Sequence, residues 1–263
     1  MKKQVKLVLS GGGARGFAHI GVLMGLYELD IKPIAISGSS AGSLVAAFVA
    51  DGFHPIEIKE LFEKHKFKKN LHFKNLKAGL FSPDSIYELI NKNIRSKNIE
   101  SLQIPLFVTV TNLLNGNRTV FNKGNIAQCV VASCSIPMLL PPVYINDIPY
   151  VDGGVTSNLP VEPFLPKDAC KIIGINVNPI SNYSPKTSVI DTIDRTIQLC
   201  LKENVMRNAA LCDLFIEPRG IEKYKLLDNE KASEISALGY NHIQEVLKTV
   251  DSIFKESSFL HVK

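Results

Sequence analysis

The stretch Gly38-Ser39-Ser40-Ala41-Gly42 places a serine between two glycines, each two positions away. This spacing matches G-x-S-x-G, in which a nucleophilic serine stands on a sharp turn between a strand and a helix. Small residues are required at both glycine positions because the turn brings them close together. The pattern therefore predicts Ser40 as the nucleophile of a covalent mechanism, with Ser39 as the neighbouring alternative.

A second glycine-rich stretch precedes this one and consists of Gly11, Gly12, Gly13, Ala14, Arg15 and Gly16. Its spacing matches the G-x-G-x-x-G of dinucleotide-binding loops, but such a loop needs an acidic residue at the end of the next strand, where Ser37 stands. A P-loop needs Gly-Lys-Ser/Thr, and Phe17 follows the last glycine instead. The remaining interpretation is an oxyanion hole made of backbone N–H groups.

Two charged residues near these motifs have roles that the sequence leaves open. Arg15 either braces the glycine loop, adds positive charge beside it, or is a structural or solvated arginine. Asp152 follows the apolar stretch PYV and precedes Gly153 and Gly154. These glycines either let the carboxylate approach a neighbouring loop closely or form an ordinary tight turn.

A serine nucleophile needs a base, and histidine is the usual one. None of the six histidines, at positions 19, 54, 65, 72, 242 and 261, follows a strand in a glycine-flanked loop. His19 and His242 fall in helical patterns, where packing or surface roles are commoner than catalysis. Asp152 is better placed because it directly follows a predicted strand.

Strands and helices must alternate to position these motifs. VKLVL (5–9) and PIAIS (33–37) predict strands, and helical spacing lies between them, at Phe17, Ile20, Met24 and Tyr27. Gly21 and Gly25, four residues apart on that helix, would allow close packing. GSLVAAFVAD predicts a second, buried helix. Because adjacent parallel strands deliver their loops to one edge of a sheet, the glycine loop and Ser40 are expected to face the same cleft.

The rest of the chain continues this alternation. PLFVTVTNL and RTVFN predict two strands joined by the turn NGN, and IAQCVVASCSIP predicts a helix that continues until Pro137. KIIGINVNP predicts a buried strand. LFIEP predicts the last strand, and helical patterns flank it at about 187–210 and 228–254. The predicted fold is α/β, a three-layer α/β/α sandwich with a mainly parallel central sheet.

Residues 55–80 differ in character, because lysines interleave with apolar residues at Phe62, Phe67, Leu71, Phe73 and Leu76. Two interpretations remain open: a lid or lipid-facing surface whose lysines meet anionic headgroups, and a solvated amphipathic helix. SPDSIYELINKNI then predicts a helix capped by Ser82 with Pro83 at its first position. Residues 55–100 are thus a candidate helical lid or membrane-facing insertion.

Composition is that of an ordinary globular protein, with 263 residues, 45% of them hydrophobic, and a formal net charge of +5. No repeat or linker divides the chain, so we expect one domain over 1–263. The five cysteines form no CxxC pair and indicate free thiols in a reducing cytoplasm. There is no export signal, no run of membrane-spanning length and no metal-ligand spacing. We therefore expect a cytoplasmic protein without metal, cofactor or nucleic acid.

The stretches GGGARG, GSSAG and DGG, in this order and spacing, resemble the patatin-like phospholipase family, in particular its short bacterial members. ASCSIPMLLPPV (132–143) resembles that family's segment before the aspartate, and the resemblance extends from about residue 5 to the strand near 177. It implies an α/β/α fold, metal-free hydrolysis of lipid acyl esters, and a Ser-Asp dyad without histidine. On this chain Ser40 would be the nucleophile, Asp152 its base, and the loop from Gly11 to Gly16 the oxyanion hole.

The predicted function is therefore a serine acyl-ester hydrolase of phospholipase or lysophospholipase type, and peripheral contact with an anionic membrane surface is a further hypothesis that depends on the open interpretation of residues 55–80. One alternative is a lipid- or acyl-binding regulatory protein with little turnover. Another is a histidine-dependent α/β-hydrolase. In an α/β-hydrolase the nucleophile usually comes after several strands, whereas Ser40 comes after the second. The catalytic histidine of such an enzyme should also follow the acid in a loop, and this chain has no histidine suited to that role.

Overall fold

The structure is a computed structural model that describes residues 3–65, 83–180, 189–246, 250, 254 and 260–262. Within these residues, nine strands form one mixed sheet that helices flank, which confirms the predicted three-layer α/β/α sandwich. The strands are β1 (Lys3–Leu9), β2 (Ile31–Ser39), β3 (Leu106–Asn112), β4 (Arg118–Phe121), β5 (Val143–Ile145), β6 (Ile148–Asp152), β7 (Lys171–Ile175), β8 (Leu214–Ile216) and β9 (Leu260–Val262). The helices are α1 (Phe17–Glu28), α2 (Ala41–Ala50), α3 (Pro55–Lys64), α4 (Asp84–Asn93), α5 (Ile126–Ser133), α6 (Val189–Ala209) and α7 (Ala232–Glu245).

β1 occupies the middle of the sheet and pairs in parallel with β2 on one side and β7 on the other. β7 continues in parallel to β8 and then β9. Val5, Leu7, Val8 and Leu9 of β1 are all buried, as expected for a parallel strand covered by helices on both faces. This central position explains why the strand reads as an almost continuous apolar run.

β2 and β6 share one edge of β3 and meet there end to end. Thr109 of β3 pairs with Ser39 of β2 in parallel, and the next residue, Val110, pairs with Asp152 of β6 in antiparallel orientation. β4 pairs with these same residues of β3, and because a strand has two edges, β4 must take the opposite one. The carboxyl ends of β2 and β6 therefore point toward each other.

Helices α1 and α7 approach closely through glycines. A Cβ on Gly21 would collide with the backbone carbonyl oxygen of Ser236, and one on Gly239 would collide with that of Ala18. A Cβ on Gly25 would instead meet the side chain of Ile243. The prediction that Gly21 and Gly25 permit close packing is confirmed.

The described part of the segment 55–100 packs on the body of the protein. Ile58 and Phe62 of α3 are buried, and the Phe62 ring makes edge-to-face contacts with Phe17 and Phe48. Residues 66–82, which carry the predicted Ser82 cap, lie outside the described residues. None of the described helices has the length and apolar character needed to cross a membrane.

Several predicted boundaries are wrong. α5 ends at Ser133 instead of continuing to Pro137, because the chain turns at Cys134. Pro83 is the N-cap of α4 instead of its first helical residue. LFIEP is not the last strand, since β9 follows it and pairs with β8. β5 and β9 were missed because three residues are too short to show a strand period.

Candidate active site

Ser40 stands at the junction of β2 and α2 with a φ of 50° and a ψ of −128°. A positive φ is unfavourable for a residue with a side chain, and such strain is often found at functional sites. A Cβ on Gly38 would lie 2.7 Å from the backbone carbon of Gly42, and a Cβ on Gly42 would collide with the carbonyl oxygen of Leu9. Both glycines are therefore needed for this turn.

The Ser40 hydroxyl donates a hydrogen bond of 2.6 Å to Oδ2 of Asp152. The other carboxylate oxygen, Oδ1, accepts the N–H of Gly154 at 2.7 Å. Ser40 is 5% exposed and Asp152 is 6% exposed. The two residues are in contact although they are 112 positions apart in the sequence. They meet because β2 and β6 end against each other on the same edge of β3.

Burial raises the pKa of Asp152 from 3.8 to about 6, while the hydrogen bonds from Ser40 and from the Gly154 N–H act in the opposite direction. A carboxyl group with this pKa is a stronger base than a free aspartate and is still ionised at neutral pH. Asp152 and Ser40 can thus exchange a proton directly.

The carboxyl end of α5 holds the backbone of both residues. The Ser40 N–H donates to Oγ of Ser133 at 2.8 Å, and the Ser133 hydroxyl donates in turn to the carbonyl oxygen of Thr109 at 2.7 Å. The N–H of Asp152 donates to the carbonyl oxygen of Ser135 at 2.9 Å. Neither serine was predicted to belong to the site, because isolated serines in an apolar stretch carry no recognisable pattern.

The glycine loop lies beside Ser40, and some of its N–H groups are already used. The N–H of Gly11 donates to the carbonyl oxygen of Asn158 at 3.1 Å, and that of Ala14 donates to Leu226 at 2.8 Å. Within the described part of the chain, the N–H groups of Gly12, Gly13 and Ala41 donate to no acceptor. All three residues line cavities that contain Ser40.

Arg15 braces the glycine loop from behind. Arg15 as a whole is 2% exposed. Its guanidinium donates from Nε to the carbonyl oxygen of Tyr224 at 2.8 Å and from Nη1 to Oδ1 of Asn178 at 2.5 Å. Arg15 is not among the residues that line the cavities at Ser40. Of the roles left open by the sequence, these contacts correspond to the structural brace.

Two cavities meet at Ser40, with volumes of about 130 and 360 Å³. The smaller lies among apolar side chains of four helices, including Phe17, Leu44, Phe62 and Ile86. The larger is also mainly apolar but contains polar groups, including Asp152, Asn158, Asn178, Thr192 and Thr196. Ser40 is therefore positioned to attack a molecule that extends into both spaces.

The described histidines are not positioned to act on Ser40. His19 is buried, its Nε2 lies 2.8 Å from the carbonyl oxygen of Ser10, and burial lowers its pKa to about 4. His54 caps α3, and His242 is buried on α7. None of the histidines whose side chains are described lines either cavity at Ser40; His72 and the side chain of His261 lie outside what the structure describes.

Ser39, the alternative nucleophile, is fully buried. Among the described residues its hydroxyl has no hydrogen-bond partner, and Ser39 lines neither cavity. The turn therefore places Ser40 at the cavities and keeps Ser39 buried away from them.

Comparison with known proteins gives consistent matches. Residues 7–165 match the model of the patatin-like phospholipase family. The chain is 31% identical to Lysophospholipase NTE1 of Mycosarcoma maydis over 196 residues. This alignment covers 69% of this chain and 10% of the fungal protein. It is 30% identical to an NTE family protein of Mycobacterium tuberculosis over 184 residues. This alignment covers 66% of this chain and 49% of the mycobacterial protein.

A solved structure supports the fold. The crystal structure of VipD from Legionella pneumophila superposes with a TM-score of 0.56 at 16% sequence identity, covering 94% of this chain and 67% of VipD. The fold and site define an α/β/α protein with a buried serine–aspartate pair at the carboxyl edge of its sheet. The chain belongs to the patatin-like phospholipase family. It spans about a tenth of the fungal relative and about half of the mycobacterial one.

Proposed function

We propose that this chain is a serine hydrolase of lipid acyl esters, of phospholipase or lysophospholipase type. The observation that carries the proposal is the 2.6 Å hydrogen bond from the Ser40 hydroxyl to Asp152, located where two mainly apolar cavities meet. The family match and the relative named as a lysophospholipase support the same class of substrate.

In the proposed reaction, Asp152 takes the Ser40 proton while Oγ attacks the ester carbonyl carbon. The N–H groups of Gly12, Gly13 and Ala41 are the available donors to the oxyanion, whereas those of Gly11 and Ala14 are already bonded. Asp152 then returns the proton to the departing alcohol, which leaves an acyl group on Ser40. Water hydrolyses this acyl-enzyme, with Asp152 again as the base.

The walls of the cavities suit a lipid. Phe62 of α3 and Ile86 of α4 form part of the smaller cavity, so the segment 55–100 would contact the acyl chain and act as a lid. The five cysteines are free, in keeping with a reducing cytoplasm. The net charge of +5 would favour peripheral contact with an anionic membrane surface, where such substrates reside.

A comparison of Ser40→Ala with Ser39→Ala tests the proposal. Both remove one hydroxyl from the same turn, so each is the matched control of the other. We expect a fluorophosphonate probe to label the wild-type protein and Ser39→Ala, but not Ser40→Ala. Hydrolysis of p-nitrophenyl esters and lysophospholipids should follow the same pattern. Labelling that survives in Ser40→Ala and disappears in Ser39→Ala would move the nucleophile by one residue.

The same measurements distinguish the alternatives. A wild-type protein that binds fatty acyl chains without hydrolysing any ester would be a lipid-binding regulator. A histidine variant that stays folded and loses as much turnover as Asp152→Asn would favour a histidine-dependent mechanism.

A further inference from the structure

Asn158 places a buried amide next to the reactive pair. It follows Asp152 by six positions in DGGVTSNLP, and it is 2% exposed. Its side chain lines the larger cavity together with Ser40 and Asp152. An amide removed from water must find hydrogen-bond partners inside the protein or in the cavity it faces.

The hydrogen bonds of Asn158 determine which way its amide points. Its Nδ2 donates to the carbonyl oxygen of Gly11 at 3.4 Å. The opposite orientation would place the amide oxygen next to the Gly11 carbonyl oxygen, so the amide nitrogen is the atom beside that carbonyl, and Oδ1 lies beside the Cα of Gly11. Within the described residues, Oδ1 accepts no hydrogen bond. One acceptor beside the reactive pair is thus available to a ligand.

Two glycines allow this oxygen to lie close to the reactive pair. A Cβ on Gly154 would lie 2.9 Å from Oδ1 of Asn158 and equally 2.9 Å from Oδ1 of Asp152. A Cβ on Gly11 would lie 2.5 Å from Oδ1 of Asn158 and 3.0 Å from Cβ of Ser40. The Asn158 oxygen therefore lies close to both Asp152 and Ser40, and all three residues line the larger cavity, from which a water molecule can reach them.

We propose that Oδ1 of Asn158 positions the water that hydrolyses the acyl-enzyme, an inference that rests on the proposed hydrolytic function. A water molecule has two O–H bonds. One donates to Asp152, which takes that proton as the water oxygen forms a bond to the acyl carbon. The other donates to Asn158, which fixes the direction of attack. The bond from the acyl carbon to Ser40 Oγ then breaks, and Asp152 returns the proton to Oγ.

Competition between water and methanol tests this assignment. Methanol has one O–H bond, which must go to Asp152, so it makes no use of the Asn158 acceptor. Asn158→Leu keeps the branched shape and removes the acceptor. With p-nitrophenyl butyrate in aqueous methanol, we expect the ratio of methyl ester to free acid to rise about tenfold in this variant, the effect of losing one hydrogen bond of typical strength.

The ratio is formed from a common acyl-enzyme, so it does not depend on the folded fraction or on the rate of acylation. If Asn158→Leu folds poorly, Asn158→Ala provides the same measurement. Asn204→Leu is the matched control, because Asn204 Oδ1 accepts the Asn158 N–H at 3.2 Å and Asn204 does not line the cavity. We expect its product ratio to equal that of the wild type.

A ratio in Asn158→Leu and Asn158→Ala equal to the wild-type value would overturn the proposal. Fluorophosphonate inactivation, which involves no water, should proceed at nearly the wild-type rate in Asn158→Leu. A parallel loss of inactivation rate with an unchanged ratio would mean that Asn158 only supports the glycine loop. If ester hydrolysis is absent or survives in Ser40→Ala, the proposed function itself fails, which is a separate and distinguishable result.

Discussion

Asp152 is the residue whose environment most affects the expected chemistry. Its carboxyl group is buried, which raises its pKa to about 6, and its two oxygens are held by Ser40 and by the N–H of Gly154. The raised pKa makes the carboxylate more basic, and the hydrogen bonds fix it in line with the Ser40 hydroxyl. The same burial has consequences for activity and for stability that can be measured separately.

Activity is expected to depend on the ionised form of Asp152. We predict that kcat/KM for a neutral ester rises with pH below about 6 and becomes constant above it, because the protonated carboxyl cannot accept the Ser40 proton. Asp152→Asn should lower turnover by roughly 10²–10⁴-fold above about pH 6, and the difference from the wild type should narrow at lower pH, where the wild-type base is itself protonated. A profile of wild-type shape and height in Asp152→Asn would contradict the assignment of the base.

Stability should change in the opposite sense to activity. The folded protein holds the Asp152 proton more tightly than the unfolded chain, so this group stabilises the fold below about pH 4 and that contribution is lost as pH rises through about 6. Asp152→Asn should therefore raise the free energy of unfolding at pH 8 by an amount on the order of 1 kcal/mol. The gain should shrink toward pH 4.

Urea unfolding at pH 4 and pH 8 measures this difference. Glu222→Gln is the matched control, since Glu222 is an exposed carboxylate and its substitution should change stability little at either pH. A variant Asp152→Asn that is less stable than the wild type at pH 8 would show that the lost hydrogen bonds outweigh the relief of burying a charge.

At the scale of elements, the local parts of the site were predictable from the residues themselves, whereas the pairing of Asp152 with Ser40 was expected only from the resemblance to the patatin-like phospholipase family. The two glycine-rich turns follow β1 and β2 as predicted, because strand, turn and helix signals are all local. The position of Asp152 beside Ser40 depends on β2 and β6 sharing an edge of β3, which no local pattern encodes. Asn158 was missed for the same reason, because its partners lie in the glycine loop.

The helix pair α1 and α7 provides a test of packing. Gly21→Ala and Gly25→Ala are each expected to destabilise the protein by about 1–3 kcal/mol, because a methyl group must enter a closely packed interface. The two differ in what they meet. Gly21 faces the backbone of Ser236, which cannot retreat, whereas Gly25 faces the side chain of Ile243, which can be shortened.

A double-mutant cycle separates these cases. Shortening Ile243 to alanine removes the Cγ2 atom with which a methyl group on Gly25 would collide, so Ile243→Ala should offset much of the cost of Gly25→Ala. It should offset little of the cost of Gly21→Ala. Chemical denaturation of the single and double variants measures both coupling energies. Equal couplings for the two glycines would mean that the helices shift as rigid bodies instead of clashing locally.

For the whole molecule, residues beyond those matched by the family model also contact the site. That match ends at residue 165. Strand β7, which pairs with β1, lies beyond it, and the carbonyl of Ile175 on β7 accepts the N–H of Ser10, the residue before the glycine loop. Two partners of the glycine loop also lie beyond residue 165: Leu226 accepts the N–H of Ala14, and Tyr224 accepts from the Arg15 side chain. The last part of the chain, which carries no catalytic motif, therefore supports the first.

This dependence leads to the proposal that the chain folds as one cooperative domain. A chain that ends after residue 180 keeps Ser40, Asp152 and β7 but lacks α6, α7 and β8, and exposes the glycine-lined face of α1. We expect it to show no cooperative unfolding transition and no labelling by a fluorophosphonate. In the full chain, loss of labelling and loss of helical circular dichroism should occur at the same urea concentration. A truncated chain that unfolds cooperatively and labels at Ser40 would instead make residues 181–263 a separate unit, and the contacts from Leu226 and Tyr224 dispensable for the site.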